Sequence, residues 1–473
     1  MVSLPRFVVA APGSGHGKTM IATGLMAALR ARGHAVSPHK VGPDYIDPSY
    51  HGLAAGRVGR NLDPFLQGED LVMPLLLHGA STPALADVAV IEGVMGLFDG
   101  ALGSDGFASS AHVARLVGAP VVLVVDCAAS ARSIGAVVHG FTTYDDEVRV
   151  AGVILNNVAS PRHEKEARAG LARTGVPVLG VVPRLPDIVV PSRHLGLVPV
   201  AERRPEAVAA VDALADLIAR HVDLDALMHL ARTAPELDCE PWSPASTSDG
   251  SAISPVSTSD GSTTVAVFGG PAFSFSYAEN VELLAAAGAE VVLVDPLRGD
   301  RLPATTAAVV IGGGFPEMHA EALAENRALM DDVARFARDG GPVVAECAGL
   351  LYLGRSLDGV PMTDVLPMTA EMTKRLTLGY RRATALADGP LVRAGEQVTG
   401  HEFHRTAVTW EAAAPAWSWT LADGTGTTEG WASPNLHASY LHVHWAGHPA
   451  QAARLVAAAR TFSNRLLAPS VPV

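Results

Sequence analysis

Residues 7–19 read Phe-Val-Val-Ala-Ala-Pro-Gly-Ser-Gly-His-Gly-Lys-Thr, a short apolar run that ends in a glycine-rich turn before a helix-compatible segment. This order of strand, loop and helix is the context that a phosphate-binding loop requires. Glycine lets the backbone aim its N–H groups at phosphate oxygens, and the helix N-terminus adds a partial positive charge. The stretch therefore predicts a nucleotide-binding loop at the start of an α/β domain.

Each part of this loop has an expected role. Lys18 should reach the outer phosphates, and the Thr19 hydroxyl should ligate Mg²⁺. Three glycines are expected to line the phosphates: Gly13, Gly15 and Gly17. Pro12 occupies the first glycine position of the usual GxxxxGK[ST] pattern. An ordinary glycine-rich turn is the alternative, but the Gly-Lys-Thr ending at a helix start favours nucleotide binding.

The composition indicates a multidomain α/β protein. A chain of 473 residues is too long for one compact core, and its 48% hydrophobic content can fill large ones. The formal net charge of −13 disfavours a nucleic-acid partner, because phosphate binding needs a basic face. Three widely spaced cysteines predict neither a disulfide framework nor a zinc site, which fits a reducing cytoplasm. No apolar run is long enough to cross a membrane, so a membrane partner is not expected.

Three segments are predicted from the pattern along the chain. Residues 1–233 alternate short valine-rich strands with helices, which indicates a doubly wound parallel sheet. Residues 234–263 contain two near copies of a Ser/Pro/Gly/Asp segment, at 243–251 and 254–262, and are predicted to be a flexible linker. Residues 264–473 begin a second α/β domain that ends in a β-richer tail.

Acidic residues follow two predicted strands of the first domain, at the edge where open α/β sheets bind ligands. Residues 40–48 read Lys-Val-Gly-Pro-Asp-Tyr-Ile-Asp-Pro, and residues 92–100 read Glu-Gly-Val-Met-Gly-Leu-Phe-Asp-Gly. Because Mg²⁺ binds carboxylates together with nucleotide phosphates, we expect four acids to serve metal or substrate: Asp44, Asp47, Glu92 and Asp99. The alternative for each is a solvated carboxylate or a helix cap, which is preferred for Asp126.

A second candidate site lies at residues 343–351, which read Val-Val-Ala-Glu-Cys-Ala-Gly-Leu-Leu. A strand that runs into Cys347 before a helix is typical of a nucleophile elbow, where the helix N-terminus favours thiolate. His442 and His444 are the candidate bases, and alternation places both on one face of an extended segment. Backbone N–H groups of residues 311–317, Ile-Gly-Gly-Gly-Phe-Pro-Glu, would hold an oxyanion. The alternatives are a buried structural cysteine and a structural or metal-binding histidine pair.

Taken together, these motifs resemble the cobyrinate or hydrogenobyrinate a,c-diamide synthases of cobalamin biosynthesis. Residues 193–197, 400–404 and 439–444 also match, and the resemblance covers both domains except the linker. It implies a dethiobiotin-synthetase-like P-loop domain joined to a class I, triad-type glutamine amidotransferase domain. It also accounts for Pro12, since the family's loops often read Ala-Pro-x-Ser-Gly-x-Gly-Lys-Thr.

The second domain departs from the family pattern at two positions. Ala345 occupies the first glycine of the Gly-x-Cys-x-Gly elbow, and its small side chain keeps the turn plausible. Many class I enzymes place Glu two residues after the catalytic histidine, where this chain has His444. The third member of the triad is therefore left open. His448-Pro449-Ala450 resembles the usual His-Pro-Glu but lacks the Glu.

The resemblance implies an ATP- and Mg²⁺-dependent ligase that uses glutamine to amidate a corrinoid polycarboxylate. Cys347 would attack the glutamine amide, with His442 as proton shuttle and ammonia as product. The oxyanion would lie at Gly313 and Gly314. The metal positions are Thr19, Asp44 and Glu92. The residues beside the substrate carboxylate are Tyr45, Asp47 and Asp99. Asn156 matches the position at which the family contacts adenine.

Other readings remain open at this point. A sister amidase acting on another tetrapyrrole, such as nickel-sirohydrochlorin, would share every motif. A partitioning-type P-loop switch ATPase would explain only the first domain, and a stand-alone glutamine hydrolase only the second. The sequence leaves open whether cobalt is in the ring, which carboxylate is amidated first, and whether the chain forms a homodimer.

Overall fold

The computed structural model describes residues 2–184, 192–193, 196–197, 200–245, 263–421 and 424–467. The chain divides into two compact units, Met1–Trp242 and Ser243–Val473. Residues 246–262 of the predicted linker lie outside the described residues, as do His194 and Leu195 of the motif at 193–197. In the described part of that linker segment, the backbone of Leu237 pairs with Val2.

The first unit is built on a seven-stranded parallel sheet, in the order β3-β2-β4-β1-β5-β6-β7. Every residue of the four strands at one side of the sheet, β3, β2, β4 and β1, is buried, as expected for a parallel sheet covered on both faces. The strands are β1 Arg6–Ala10, β2 Val36–Val41, β3 Arg60–Leu62, β4 Val88–Glu92, β5 Val121–Asp126, β6 Val150–Val158 and β7 Val178–Pro183. Two further short strands, β8 Ser192–Arg193 and β9 Gly196–Leu197, pair with each other.

Nine helices are described in this unit, and the strand–helix alternation predicted from the sequence is confirmed. They are α1 Lys18–Ala31, α2 Ile46–Ala55, α3 Pro64–Gln67, α4 Glu69–Ser81, α5 Ser110–Leu116, α6 Ile134–Thr143, α7 Pro161–Leu171, α8 Arg204–His221 and α9 Leu224–Ala231. Because β1, β2 and β4 are neighbours in the sheet, their carboxyl ends bring the glycine-rich loop, the loop before α2 and Glu92 to one place.

The second unit contains a six-stranded sheet, in the order β11-β10-β12-β13-β21-β20, in which all pairs are parallel except β20–β21. A second sheet has the order β15-β14-β16-β17-β22 and contains a long hairpin. The strands are β10 Thr263–Phe268, β11 Ala289–Val294, β12 Thr306–Ile311, β13 Val343–Glu346, β14 Ser356–Leu357, β15 Val360–Pro361, β16 Met368–Ala385, β17 Gln397–Trp410, β18 Trp417–Thr420, β19 Gly426–Glu429, β20 Trp431–Ser433, β21 Leu436–Ser439 and β22 His442–Val443.

Helices flank the six-stranded sheet, and the predicted α/β class is confirmed for this unit as well. They are α10 Ala278–Ala286, α11 Ala320–Glu325, α12 Arg327–Arg338, α13 Ala348–Leu353 and α14 Ala450–Leu467. Strand β13 and helix α13 meet at Cys347, and β21 runs beside β13 and leads towards β22. Among the described residues, every helix is too short or too polar to cross a bilayer.

Candidate functional site

The glycine-rich loop connects β1 to α1 and needs glycine at two of its positions. Gly15 and Gly17 have φ values of 84° and 89°, in the left-handed region that other residues rarely adopt. A Cβ atom on Gly17 would also lie 2.4 Å from Nδ2 of Asn156. Asn156, two residues before the carboxyl end of β6, donates from Nδ2 to the carbonyl oxygen of His16 at 3.0 Å. The residue predicted to contact adenine therefore lies against the loop.

Lys18 folds back over the same loop. Its Nζ donates to the carbonyl oxygen of Gly13 at 2.9 Å and also to the carbonyl oxygen of Met95. Burial lowers the pKa of Lys18 to about 8, and the nearby Lys40 lowers it further. Among the described residues, the hydrogen-bond partners of this ammonium are these two carbonyl oxygens.

Two carboxylates converge on Thr19. Its Oγ1 lies 2.6 Å from Oε1 of Glu92 and 3.2 Å from Oδ2 of Asp47. Between these acids lies the buried ammonium of Lys40, with Nζ 2.8 Å from Oδ2 of Asp47 and 2.9 Å from Oε1 of Glu92. Lys40 also donates to the carbonyl oxygen of Gly93 at 3.2 Å. Such close pairing is what allows three ionisable groups to be buried together.

The charges of this cluster differ between the two acids. Burial alone would raise the pKa of Glu92, but Lys40 and His51 outweigh it and hold that pKa well below its usual value. Burial and the neighbouring Asp44 raise the pKa of Asp47 to about 6, although Lys40 opposes them. Burial would lower the pKa of Lys40, but Asp47 and Glu92 reverse this and raise it. Of the two acids beside Thr19, Glu92 is therefore the one that stays ionised even well below neutral pH.

Asp44 and Asp47 have different positions although they share one loop. Oδ1 of Asp44 accepts hydrogen bonds from the backbone N–H groups of Ile46 at 2.7 Å and Asp47 at 2.9 Å. Asp44 thus caps the first turn of α2. The acid beside Thr19 is Asp47, for which the family resemblance implies a place beside the substrate and not the metal. Tyr45 lies between them and is buried.

Asp99 lies at the other side of the glycine-rich loop. Its Oδ2 accepts from the backbone N–H of Gly96 at 2.9 Å, and its charge acts on Lys18. Oδ1 of Asp126 accepts from the backbone N–H of Ala128 at 2.8 Å, in the turn that follows β5, so this carboxylate stabilises a loop and does not cap a helix. The structure therefore brings Asp47 and Glu92 together at Thr19, with Asp99 near Lys18.

Two members of this cluster carry no role in the sequence-based prediction. Lys40 is the penultimate residue of β2, and His51 places Nε2 2.6 Å from Oε2 of Glu92. A lysine two residues before a Gly-Pro turn, near the ligand edge of a buried strand, is a signal that could have identified Lys40. His51 follows Asp47 by four residues and so lies on the same face of α2.

In the second unit, Cys347 sits at a strained turn between β13 and α13. Its φ of 48° and ψ of −98° are unusual for a residue with a side chain, as expected at a nucleophile elbow. Its backbone N–H donates to the carbonyl oxygen of Ser439 at 2.7 Å, which ties the elbow to β21. Burial, and then the carboxylate of Glu317, raise the pKa of the Cys347 thiol, while a hydrogen bond from the N–H of Ala348 lowers it. The buried thiol therefore needs a base to become a thiolate.

His442 is the histidine beside the glycine-rich segment of this unit. A Cβ on Gly313 would lie 2.4 Å from Cε1 of His442, so the backbone of this glycine touches the imidazole. His442 is fully buried, and burial lowers its pKa well below the usual value, which keeps it neutral and able to accept a proton. Its Nδ1 lies 3.8 Å from Oε2 of Glu346. The ring of His401 stacks on that of His442 with 4.9 Å between centroids.

His444, the second candidate base, has different neighbours. Its Nε2 lies 3.5 Å from Oε2 of Glu279, and its ring packs on Tyr277 with 4.3 Å between centroids. Helix α10 carries Glu279, and Tyr277 precedes it. Among the contacts of the described residues, the one between a candidate base and the glycine-rich segment is made by His442.

The two glycines predicted to hold an oxyanion are not equivalent. The N–H of Gly313 donates to the carbonyl oxygen of Phe275 at 3.2 Å, so an oxyanion would have to compete with that bond. Gly314 has a φ of 159°, and a Cβ there would lie 2.1 Å from the carbonyl oxygen of Ala272. Ala348 supplies the N–H that directly follows the nucleophile, a usual oxyanion donor in elbows that the sequence-based prediction does not include.

Both units match known protein families. Residues 7–198 match the profile described as "CobQ/CobB/MinD/ParA nucleotide binding domain", and residues 264–450 match "CobB/CobQ-like glutamine amidotransferase domain". A hydrogenobyrinate a,c-diamide synthase of Streptomyces coelicolor is 54% identical over 97% of this chain and 98% of its own length. One of Thermobifida fusca is 54% identical over 97% of each chain. A cobyrinate a,c-diamide synthase of Synechococcus is 40% identical over 93% of this chain and 95% of its own.

Proposed function

The chain belongs to the family of hydrogenobyrinate and cobyrinate a,c-diamide synthases, and we propose that it amidates the a and c carboxylates of hydrogenobyrinate or cobyrinate. It is a glutamine-dependent amide ligase with a nucleotide-binding domain and a glutamine amidotransferase domain. The strongest structural support is that one chain holds two separate candidate reaction centres. One is the Thr19 cluster behind a phosphate-binding loop, and the other is the strained Cys347 beside the buried His442 segment.

The first centre would bind ATP. Backbone N–H groups of residues 13–17 would cradle its phosphates, Lys18 would turn from the carbonyl oxygens to the γ-phosphate, and Asn156 would lie near the adenine. The oxygens of Thr19, Glu92 and Asp47 form a donor set that suits Mg²⁺, and Asp47 is better placed than Asp44 to join it. Bound Mg²⁺ would supply charge neutralisation at the phosphates.

The chemistry at this centre is carboxylate activation. A carboxylate oxygen of the corrinoid attacks the γ-phosphorus, the bond to the bridging oxygen of ADP breaks, and an acyl phosphate forms. Ammonia then attacks the acyl carbon, and inorganic phosphate leaves to give the amide. Tyr45 and Asp99 are proposed to lie beside the reacting carboxylate, and the buried ammonium of Lys40 adds positive charge next to it. The sequence of steps is repeated for the second carboxylate.

The second centre would release ammonia from glutamine. His442 accepts the thiol proton of Cys347, and the thiolate attacks the side-chain amide carbon. The N–H groups of Ala348 and Gly314, and of Gly313 once its bond to Phe275 opens, would stabilise the oxyanion. His442 then gives the proton to the departing ammonia, and water hydrolyses the thioester to glutamate. Because this thiol must stay reduced, we also propose a cytoplasmic location.

The direct test is conversion of purified substrates followed by mass spectrometry. With ATP, Mg²⁺ and glutamine, we expect two carboxyl groups of hydrogenobyrinate or cobyrinate to be converted to amides. A preference for one of these two substrates would show whether the enzyme requires cobalt in the ring. Nickel-sirohydrochlorin serves as the competing tetrapyrrole. Conversion of that substrate alone, or ATP hydrolysis without any amide product, would overturn the proposal.

A matched pair of variants assigns the two centres. Cys347→Ala should lose glutamine-dependent synthesis but keep synthesis from added ammonia, whereas Lys18→Ala should lose both. If Cys347→Ala still used glutamine, the elbow assignment would be wrong. If a folded Cys347→Ala protein failed with ammonia as well, two separate centres would be excluded.

A further inference from the structure

We propose that Glu346 is the residue that positions His442, and so fills the place of the third triad member. It acts on the histidine and not on glutamine, which makes it a positioning residue. The inference rests on the proposed function, because it assumes that Cys347 and His442 release ammonia from glutamine. It adds a role for a side chain that directly precedes the nucleophile.

Strand pairing brings Glu346 to His442. Glu346 is the last residue of β13 and lies opposite Ser439 of β21, and three residues later the chain reaches His442 in β22. Oε2 of Glu346 is then 3.8 Å from Nδ1 of His442. This is longer than a hydrogen bond, but catalytic hydrogen bonds of unliganded enzymes are often long and shorten when substrate binds.

The carboxyl group is also fixed relative to the histidine. The backbone N–H of Val443, the residue after His442, donates a hydrogen bond to the Glu346 carboxyl group. The Glu346 side chain is 15% exposed and that of His442 is fully buried, so little water competes for this contact. One strand therefore carries the imidazole and holds the carboxyl group facing its Nδ1, which leaves Nε2 for the thiol.

Proton transfer should strengthen this contact. Burial raises the pKa of Glu346 to about 8. The form of the protein that has already released the Glu346 proton to solvent is the one in which the carboxylate faces His442. When Cys347 then gives its proton to His442, the carboxylate and the imidazolium stabilise each other. Glu346 would then accept the Nδ1–H of His442 and hold the ring in the orientation needed at both proton transfers.

Glu279 is another buried acid of this unit that lies close to a histidine, and it makes the matched control. It lies 3.5 Å from His444, the residue found where many class I enzymes have Glu. His444 in turn packs on Tyr277. Glu279 thus acts on His444, whereas Glu346 faces His442 itself.

The test compares glutamine hydrolysis by the full chain, with ATP and corrinoid present, in Glu346→Gln, Glu346→Asp and Glu279→Gln. We expect Glu346→Gln to lower kcat by about 10–100-fold while KM for glutamine changes less than about twofold. Glu346→Asp, which keeps the carboxylate, should recover part of the loss, and Glu279→Gln should stay near wild type. A wild-type kcat in Glu346→Gln, no recovery in Glu346→Asp, or a larger loss in Glu279→Gln would overturn the proposal.

Two further measurements separate this inference from the proposed function. Ammonia-dependent synthesis by the Glu346 variants checks that the chain is folded, because it bypasses the Cys347 centre. If Cys347→Ala kept glutamine use, the proposed function of this centre would fail and the positioning role with it. If Cys347→Ala were inactive with glutamine but Glu346→Gln behaved as wild type, only the positioning role would fail.

Discussion

Gly17 and Gly313 show how one glycine can serve a site in two ways. The sequence motifs assign both to anion binding through the backbone. The structure adds that each lies against a functional side chain, since a Cβ would come within 2.4 Å of Asn156 at Gly17 and of His442 at Gly313. At such a position, the smallest side chain would push the partner out of place.

Gly313→Ala should therefore impair glutamine hydrolysis without unfolding the protein. Gly313 does not have a left-handed backbone, so the added methyl group acts through its collision with His442. We expect kcat for glutamine hydrolysis to fall at least about tenfold, because a displaced base loses its alignment with the thiol. Steady-state kinetics of the full chain measures this.

Gly269→Ala is the control, since a Cβ there meets nothing within 4 Å. It should keep wild-type kinetics. An equal loss in both variants, or none in Gly313→Ala, would contradict the steric explanation.

The strained backbone of Cys347 should lower the free energy of unfolding of the protein without glutamine. With φ of 48° and ψ of −98°, any side chain is strained, and glycine alone relieves it. Cys347→Gly is expected to have a free energy of unfolding about 1 kcal/mol above that of Cys347→Ala, despite the greater flexibility of glycine in the unfolded chain. Urea unfolding followed by tryptophan fluorescence compares them. Equal or lower stability of the glycine variant would mean that the turn is relaxed.

Glu429 should make the second unit less stable as pH rises. Its carboxyl group accepts from the backbone N–H of Tyr440 at 2.9 Å and from the Ser439 hydroxyl, and burial raises its pKa to about 7. Between the unfolded value near 4.5 and about 7, the folded state holds more protons, so the free energy of unfolding falls with rising pH and then levels off. The fall is at most about 3 kcal/mol.

Glu429→Gln removes this titration, so its stability relative to wild type should increase between pH 5 and pH 8. Urea unfolding at several pH values gives the difference directly. A difference that stays constant with pH would show that Glu429 does not titrate in this way.

At the scale of elements, the valine-rich strands were predictable and the polar ones were not. Strands β1, β4, β5, β12 and β13 coincide with short apolar runs of the sequence, because such runs between turns mark buried parallel strands. Strand β3 carries Arg60 and Asn61 and shows no apolar pattern. The sequence was equally silent on the position of Asp47, and not Asp44, beside Thr19, because this depends on the residue at which α2 begins.

Helix α1 begins at Lys18 and packs closely on α8 through Gly24. A Cβ on Gly24 would lie 2.6 Å from Cγ1 of Ile218 and 3.0 Å from the carbonyl oxygen of Leu214. Gly24→Ala should therefore lower the free energy of unfolding of the first unit by about 1–3 kcal/mol, as overpacking does. Circular dichroism during urea unfolding measures it.

The control for this contact is another helical glycine, Gly140 of α6, where a Cβ meets nothing within 4 Å. Gly140→Ala should raise stability by about 0.5–1 kcal/mol, because alanine favours the helix. If Gly24→Ala were as stable as Gly140→Ala, the α1–α8 contact would be looser than described.

For the whole molecule, the division into two units has a measurable consequence for ligand binding. Five of the six tryptophans lie in Ser243–Val473, and Trp242 alone lies in Met1–Trp242. Tryptophan fluorescence therefore reports mainly the second unit, while circular dichroism reports both. If ATP with Mg²⁺ binds at the glycine-rich loop, it stabilises the first unit by about 2.7 kcal/mol at 100 times its Kd.

Heating the full chain with and without ATP and Mg²⁺ should then shift the circular-dichroism transition of the first unit upwards by about 5–10 °C. The fluorescence transition should move less, and glutamine should not reproduce the effect. Lys18→Ala is the control, because it removes the side chain that would hold the outer phosphates while leaving the second unit intact. A nucleotide shift seen only by fluorescence, or an undiminished shift in Lys18→Ala, would place the nucleotide outside the loop at residues 12–19.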